Sequence, residues 1–102
     1  MVRVKVLDEV AHAYSDVEGK VVHEIVVNHL KAGRPVEVSF EGVDAISTSF
    51  VNNAFIALLE DFTFDDIKRT ISFVHTNAQI NDMLRSRFKF ETSGARAVQN
   101  QH

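Results

Sequence analysis

The chain contains no cysteine and only four glycines among its 102 residues. Without cysteine, a disulfide framework, a thiolate zinc site and a cysteine nucleophile are excluded, which fits a reducing cytoplasm. The glycines stand far apart, so the sequence has no glycine-rich phosphate loop. No apolar run approaches the roughly 20 residues that span a bilayer, and the N-terminus lacks the apolar block of a signal peptide. We therefore expect a soluble cytoplasmic protein that is not bound to a membrane.

The excess of acidic over basic residues is also small. The formal net charge is −3, which by itself indicates neither an acidic nor a basic partner. Arg85, Arg87 and Lys89 alternate with phenylalanines and at first sight resemble a nucleic-acid-binding stripe. Helical geometry scatters these cations, and they complement the dipole in the last turns of a helix. We expect a solvated helix face and no nucleic-acid partner.

The length and the 45% hydrophobic content suit one globular domain. Strict alternation of valine with charged residues predicts a strand at residues 2–7, and similar patterns predict strands at 36–40 and 70–75. Residues 8–14 fit either a short strand or a loop. Periodicity is absent from the C-terminus, so we expect a domain at 1–92 and a flexible tail at 93–102.

Three helices are predicted between and after these strands. A capping box at Ser15 and Glu18 starts a helix at 16–32. Its predicted apolar stripe consists of Val17, Val21, Val22, Ile25, Val26, His29 and Leu30.

The second stripe runs from Phe50 to Phe62 and predicts one helix that begins near Ser49. Thr63 is an N-cap candidate for a further helical turn. Thr76 and Gln79 fit a capping box for the third helix.

The order strand–helix–strand–helix–strand–helix predicts an α/β fold with parallel neighbouring strands. Charged residues interrupt the first two strands, whereas parallel strands covered on both faces are usually continuous apolar runs. We therefore predict a two-layer sandwich, in which a small, mostly parallel sheet carries helices on one face. Right-handed crossovers then make the strands step in one direction, and the other face is either wetted by polar side chains or covered by a partner.

Three successive hydroxyls, Ser47, Thr48 and Ser49, follow the second strand. This loop opens at the carboxyl end of the strand, where α/β proteins place their sites, and the next helix offers free N–H groups. One interpretation is that Ser49 only caps the helix. The other is that the cluster receives a phosphate, either bound or covalently attached. Asn52 and Asn53 lie in the first helical turn and could line the same opening.

No pattern in the sequence points to an enzyme. The histidines lack the spacing of metal ligands, and the acidic residues around Asp65 lack the spacing of a calcium loop. No nucleophile, base and acid can be assembled from the spacing. We predict no catalytic residues, no metal and no cofactor.

Residues 35–62, PVEVSFEGVDAISTSFVNNAFIALLEDF, resemble the STAS domain of anti-sigma-factor antagonists. They resemble more closely the short STAS-like family of unknown function, whose members have a strand, a glycine turn and a helix start of the form S-x-S-F. The upstream stretch SDVEGKVVHEIVVNHLKAG also fits that family, and the resemblance covers about residues 2–90.

The resemblance implies a non-enzymatic, bacterial regulatory module that is switched by phosphorylation at the start of the second helix. The typical STAS motif is Asp-Ser-Ser/Thr-Gly, and Ser47 stands at its Asp position, Thr48 at the phosphorylated position and Phe50 at the Gly position. The chain therefore lacks both the Asp and the Gly. The implied partner is a histidine-kinase-like ATPase or another signalling protein.

We predict that Ser47, Thr48 and Ser49 are the phosphorylation or interaction residues, within an interaction surface completed by Asp44, Phe50, Asn52 and Asn53. The alternative function is a module that binds a small anion or a nucleotide at the same helix N-terminus. A third hypothesis is a homodimer that associates through the open sheet face and exposed phenylalanines.

Overall fold

The computed structural model describes residues 1–94, and helical segments separate its strands as the sequence predicts. Strands β1 (Val2–Lys5), β2 (Val36–Ser39) and β3 (Ile71–Val74) form a parallel sheet in the order β1–β2–β3. Parallel neighbours need a crossover connection, which the intervening helices supply. The predicted α/β fold with a small parallel sheet is confirmed.

The register of the strands gives the sheet one apolar and one mostly polar face. The residues on the core side are all apolar: Val2, Val4, Val36, Val38, Ile71 and Phe73. On the other face, Arg3 of β1 pairs with Glu37 of β2 at 2.6 Å, and Ser72 of β3 is exposed. Helices therefore pack on the apolar face. The other face is mostly polar, although it includes Val74 and its Ser39 is completely buried.

The described residues outside the sheet are mostly helical. The helices are α1 (Val6–Glu9), α2 (Asp16–Lys31), α3 (Thr48–Ala54), α4 (Phe64–Thr70) and α5 (Ala78–Lys89), with a 3-10 segment at Ile56–Glu60 and a π-helical segment at Phe90–Gly94. None of the helices within residues 1–94 is long and apolar enough to cross a bilayer.

The first strand is shorter than predicted. It ends at Lys5, and the chain turns into α1, where the side chain of Val6 is completely buried in the core. The segment after α1 is an irregular connection and not a short strand. The chain therefore buries Val6 through a helical turn and does not continue the alternating strand that the sequence predicts.

Helix α2 begins with the predicted capping box. The Ser15 hydroxyl accepts a hydrogen bond from the Glu18 N–H at 3.1 Å, and the Glu18 carboxylate accepts one from the Ser15 N–H at 3.1 Å. The predicted place of Val17 and Val21 in the core is wrong, because they are 65% and 40% exposed. The rest of the stripe is borne out at Val22, Val26 and Leu30, which are buried on the same side of α2 as Gly19.

The prediction of one continuous helix from Phe50 to Phe62 is also wrong. Helix α3 ends at Ala54, and Phe55 leaves helical geometry before the 3-10 segment begins. The ring of Phe55 packs edge-on against Phe73 at 5.1 Å and against Phe40 at 6.1 Å between centroids. This aromatic packing under the sheet outweighs the helical periodicity.

The helix caps differ from the prediction at two of four places. Ser47, not Ser49, is the N-cap of α3, and its hydroxyl accepts from the Phe50 N–H. Asn77, not Thr76, is the N-cap of α5, since its side chain accepts from the Ile80 N–H.

Thr63 is confirmed as an N-cap, and it also forms a capping box with Asp66. Helix α4, which follows, has seven residues rather than the single turn expected. At the C-terminus, the π-helical segment includes residues 93 and 94 of the predicted tail, and the rest of that tail lies outside the described residues.

Candidate functional site

The candidate site is the loop that joins β2 to α3, at the carboxyl end of the central strand. Phe40 extends the sheet by one bond, since its N–H donates to the Val74 carbonyl at 3.0 Å. A turn follows, in which the Val43 N–H donates to the Phe40 carbonyl at 2.9 Å and Gly42 adopts a φ of +83°. This left-handed conformation favours glycine and points the chain toward α3.

The start of α5 holds one side of the loop. The side-chain amide of Gln79 accepts from the Ile46 N–H at 3.0 Å and donates to the Ile46 carbonyl at 2.9 Å. It therefore satisfies both backbone groups of Ile46, as a neighbouring strand would. Asn77 donates from its amide to the Asp44 carbonyl at 2.7 Å.

The segment before α2 holds the other side. Ser47 donates its N–H to the Ala13 carbonyl at 3.1 Å and its hydroxyl to the Tyr14 carbonyl, while its oxygen accepts from the Phe50 N–H at 3.0 Å. The Ser47 N–H and O–H thus tie the loop to the segment before α2, and the hydroxyl oxygen caps α3. The Ser47 carbonyl accepts from the Val51 N–H inside the helix.

Glu18 in turn orders the segment that holds Ser47. Its carboxylate accepts from the N–H groups of His12 at 3.1 Å, Tyr14 at 3.2 Å and Ser15 at 3.1 Å. Desolvation alone would raise the pKa of this carboxyl, but the hydrogen bonds from Tyr14, Ser15 and His12 outweigh it and lower the pKa below its ordinary value. The ionised form of Glu18 is therefore the one that the folded segment favours.

The three predicted hydroxyls have different environments. Ser47 is half-buried and fully engaged as the cap, whereas Thr48 and Ser49 are exposed. The Thr48 hydroxyl makes one weak contact, to the sulfur of Met83 at 3.7 Å. The structure thus separates a structural hydroxyl from two that face solvent.

Phe50 does not belong to an exposed interaction surface, which corrects the prediction. Its side chain is completely buried, with its ring 6.2 Å from that of Phe55. The crossing of α2 and α3 fixes this orientation, because Gly19 of α2 lies directly against the Phe50 carbonyl. The bulky residue at the Gly position of the motif therefore fills the core and does not crowd the loop.

Asn52 and Asn53 are turned away from the hydroxyls. The Asn52 oxygen accepts from Nε of Arg87 at 2.9 Å, and both asparagines line a separate cavity of about 360 Å³ with Glu60 and Glu91. Asn53 donates its amide to the Ser49 carbonyl at 2.9 Å, one turn earlier in α3.

Sequence reasoning missed two rings beside the loop. The rings of His12 and Tyr14 stack with centroids 5.7 Å apart, and both residues line a small cavity of about 200 Å³ together with Asp44. Tyr14 is 57% exposed although it is aromatic. The only local signal for this arrangement is the Glu18 carboxylate, whose hydrogen bonds fix the segment that carries both rings.

The described residues contain no group of three His, Asp or Glu side chains arranged to hold a metal ion. In comparisons with known proteins, the model of a family described as a STAS-like domain of unknown function matches residues 18–81. This stretch runs from the first turn of α2 to the first turn of α5 and includes the whole loop. No curated protein and no solved structure matches the chain.

Proposed function

The chain belongs to the family of STAS-like domains of unknown function, and we propose that it is a non-enzymatic regulatory module that binds a protein partner. The contact would be made by the loop surface, which we define as Tyr14, Asp44, Thr48 and Ser49. All four residues are exposed. The observation that carries the proposal is that two solvent-facing hydroxyls stand in the first turn of α3, directly after a loop that is held from both sides.

Rigidity supports a binding role for this loop. Gln79 and Asn77 fix it from α5, and Ser47 ties it to the segment before α2. A surface that is already in its bound geometry loses little conformational entropy when a partner docks. Exposed polar residues on a fixed loop of this kind are more typical of recognition than of packing.

The proposed switch is phosphorylation of Thr48 or Ser49. A phosphate would add nearly two negative charges to a surface that already carries Asp44. Because Ser47 alone provides the cap, either neighbour can carry the phosphate without loss of the hydrogen bond that starts α3. The added charge would therefore change partner affinity while leaving the fold intact.

The resemblance to anti-sigma-factor antagonists suggests a histidine-kinase-like ATPase as the partner class, in a bacterial cytoplasm. The chain itself lacks the Asp and the Gly of the typical motif, so the surface presented to such a partner differs from theirs in charge and shape. A second copy of the chain is an alternative partner, which light scattering tests directly by mass.

The test is a quantitative pull-down from the cell that expresses the chain. We expect a protein that is retained by the wild type and by Thr48→Ala/Ser49→Ala, and that is reduced at least tenfold by Thr48→Glu/Ser49→Glu. Asn28→Glu/Lys31→Glu is the control, since it adds negative charge to the exposed face of α2. Trypsin should release both hydroxyls in one peptide, residues 32–68, in which fragmentation locates any phosphate.

The proposal fails if all three variants retain the same proteins as the wild type and no phosphate is found on that peptide. Retention lost equally in the control would show a general charge effect instead.

The anion-binding alternative has less support, because the Ser47 hydroxyl already occupies the Phe50 N–H at this helix start. Calorimetric titration with nucleotides and with inorganic phosphate tests it. Saturable binding that is lost in Thr48→Ala/Ser49→Ala would favour this alternative over the protein-binding role.

A further inference from the structure

A second surface, remote in sequence from the β2–α3 loop, has the features of a ligand cleft. It is a cavity of about 560 Å³ that is open to solvent between α4, β3 and α5. Its floor is apolar and consists of Phe64, Ile67, Ile71, Phe73, Leu84 and Phe88. The volume lies within the range of small-molecule sites, and an apolar floor is typical of them.

Two of the apolar residues form an aromatic wall of the cleft, the Phe64–Phe88 wall. The rings of Phe64 and Phe88 stack with centroids 5.3 Å apart and planes inclined by 24°. Phe88 is buried, whereas Phe64 is only half-buried and faces the opening. An apolar ligand would therefore cover an aromatic surface that water now contacts.

The charged residues that line the cleft are all cations: Lys68 from α4, and Arg85 and Lys89 from α5. Lys68 places its ammonium 4.9 Å from the centroid of the Phe64 ring and 3.6 Å from Asp65. Arg85 pairs with Asp82 at 3.5 Å. Both ion pairs are exposed, so each holds its cation weakly and the cation can turn to a ligand.

The cavity beside Asn52 provides an internal comparison. It is smaller, about 360 Å³, and its charged residues are the carboxylates Glu60 and Glu91. The chain has a net charge of −3, yet the larger and more apolar of these two cavities carries cations at the rim. The sign of the charged residues that line a cavity therefore depends on its position on the surface and not on the overall composition.

We propose that this cleft binds a small amphipathic anion, namely a free acyl chain with a carboxylate head. The acyl chain would lie on the Phe64–Phe88 wall, and the carboxylate would reach Lys68 and Arg85. The inference is independent of the loop surface, because none of these residues belongs to it.

The test uses decanoate below its critical micelle concentration, followed by calorimetry and by methyl NMR. We expect saturable binding, with shifts concentrated at Ile67, Ile71 and Leu84. Decanol carries the same chain without charge, and decyltrimethylammonium carries the opposite charge. Both should bind at least tenfold more weakly than decanoate, a factor that corresponds to about 1.4 kcal/mol.

Charge reversal at the rim provides the matched variants. Arg85→Glu and Lys68→Glu should each weaken decanoate binding about tenfold, whereas Lys20→Glu on the exposed face of α2 should leave it unchanged. Circular dichroism and urea unfolding show whether the variants keep the fold.

Several outcomes would overturn the proposal. These are the absence of saturable binding, shifts outside the cleft, or equal binding of decanoate and decyltrimethylammonium. Unchanged affinity in both folded rim variants would do the same. Association with phosphatidylglycerol vesicles without binding of monomeric decanoate would assign the surface to a membrane instead.

Discussion

A methyl group at position 19 tests the contact on which the loop depends, the crossing of α2 and α3. An added Cβ would lie 2.7 Å from the Phe50 carbonyl oxygen, 2.9 Å from Cβ of Asn53 and 3.3 Å from the Ala54 nitrogen. The first and last of these are backbone atoms, so no side-chain rotation relieves the overlap. We predict that Gly19→Ala destabilises the protein although Gly19 lies inside a helix.

The magnitude follows from two opposing effects. Alanine is favoured over glycine in a helix by about 1 kcal/mol. Against this, the Phe50 oxygen must retreat by about 0.7 Å to reach the 3.4 Å of ordinary contact. Overpacking of this kind costs roughly 1–3 kcal/mol, and a backbone obstacle belongs in the upper part of that range. The net loss should be about 1–2 kcal/mol, which lowers Tm by about 4–16 °C for a domain of this size.

Urea unfolding followed by circular dichroism measures this loss. Lys20→Ala is the control, because the adjacent residue is exposed on the same helix and should change stability by no more than about 0.5 kcal/mol. If Gly19→Ala proved as stable as the wild type or more stable, the gain in helix propensity would equal or exceed the cost of the overlap. The close crossing of α2 and α3 would then not be a constraint on the fold.

Three further predictions concern the groups that hold the core and the loop. Ser47→Ala removes the cap of α3 and its bond to Tyr14, and should cost about 1 kcal/mol in urea unfolding, with Ser49→Ala near zero. The pKa values of Glu18 and Asp66 are lowered in the folded state, so the unfolded chain binds more protons. Their stabilisation is present above the ordinary carboxyl pKa and should be lost as pH falls below it; Glu18→Gln should flatten that loss, and an unchanged acid profile would contradict this. Leu58→Ala empties a completely buried position and should cost about 2–5 kcal/mol, against a smaller cost for the half-buried Leu59→Ala.

The sheet was predictable because its pattern is local. Arg3, Lys5 and Glu37 alternate with valines, so the sequence itself assigns one face to water and the other to the core. Parallel pairing then followed from the intervening helices, and the one-sided arrangement followed from the polar face. The capping box at Ser15 and the N-cap at Thr63 were predictable for the same reason, since the residues of each cap lie within four positions of one another.

The break after α3 was not predictable from the pattern, because two kinds of helix fit it. Apolar residues at Phe55 and Leu58 are three apart, a spacing that suits the 3.6-residue period and the 3-10 period alike. What decides between them is the contact of Phe55 with Phe40, which directly follows β2, and with Phe73 of β3. Such a contact depends on tertiary packing, which periodicity in one segment does not contain.

The different roles of the three hydroxyls also depend on tertiary packing. Ser47, Thr48 and Ser49 are each acceptable N-caps, so local chemistry ranks them almost equally. Ser47 becomes the cap because its N–H and its O–H also donate to the carbonyls of Ala13 and Tyr14, more than thirty residues away in sequence. Once Ser47 is the cap, Phe50 and Ala54 fall on the face that meets α2, and both are buried. Thr48 and Ser49 are then left facing solvent. The exposure of two hydroxyls, on which the proposed switch depends, is thus a consequence of how the segment before α2 is folded, and Glu18 is the residue that folds it.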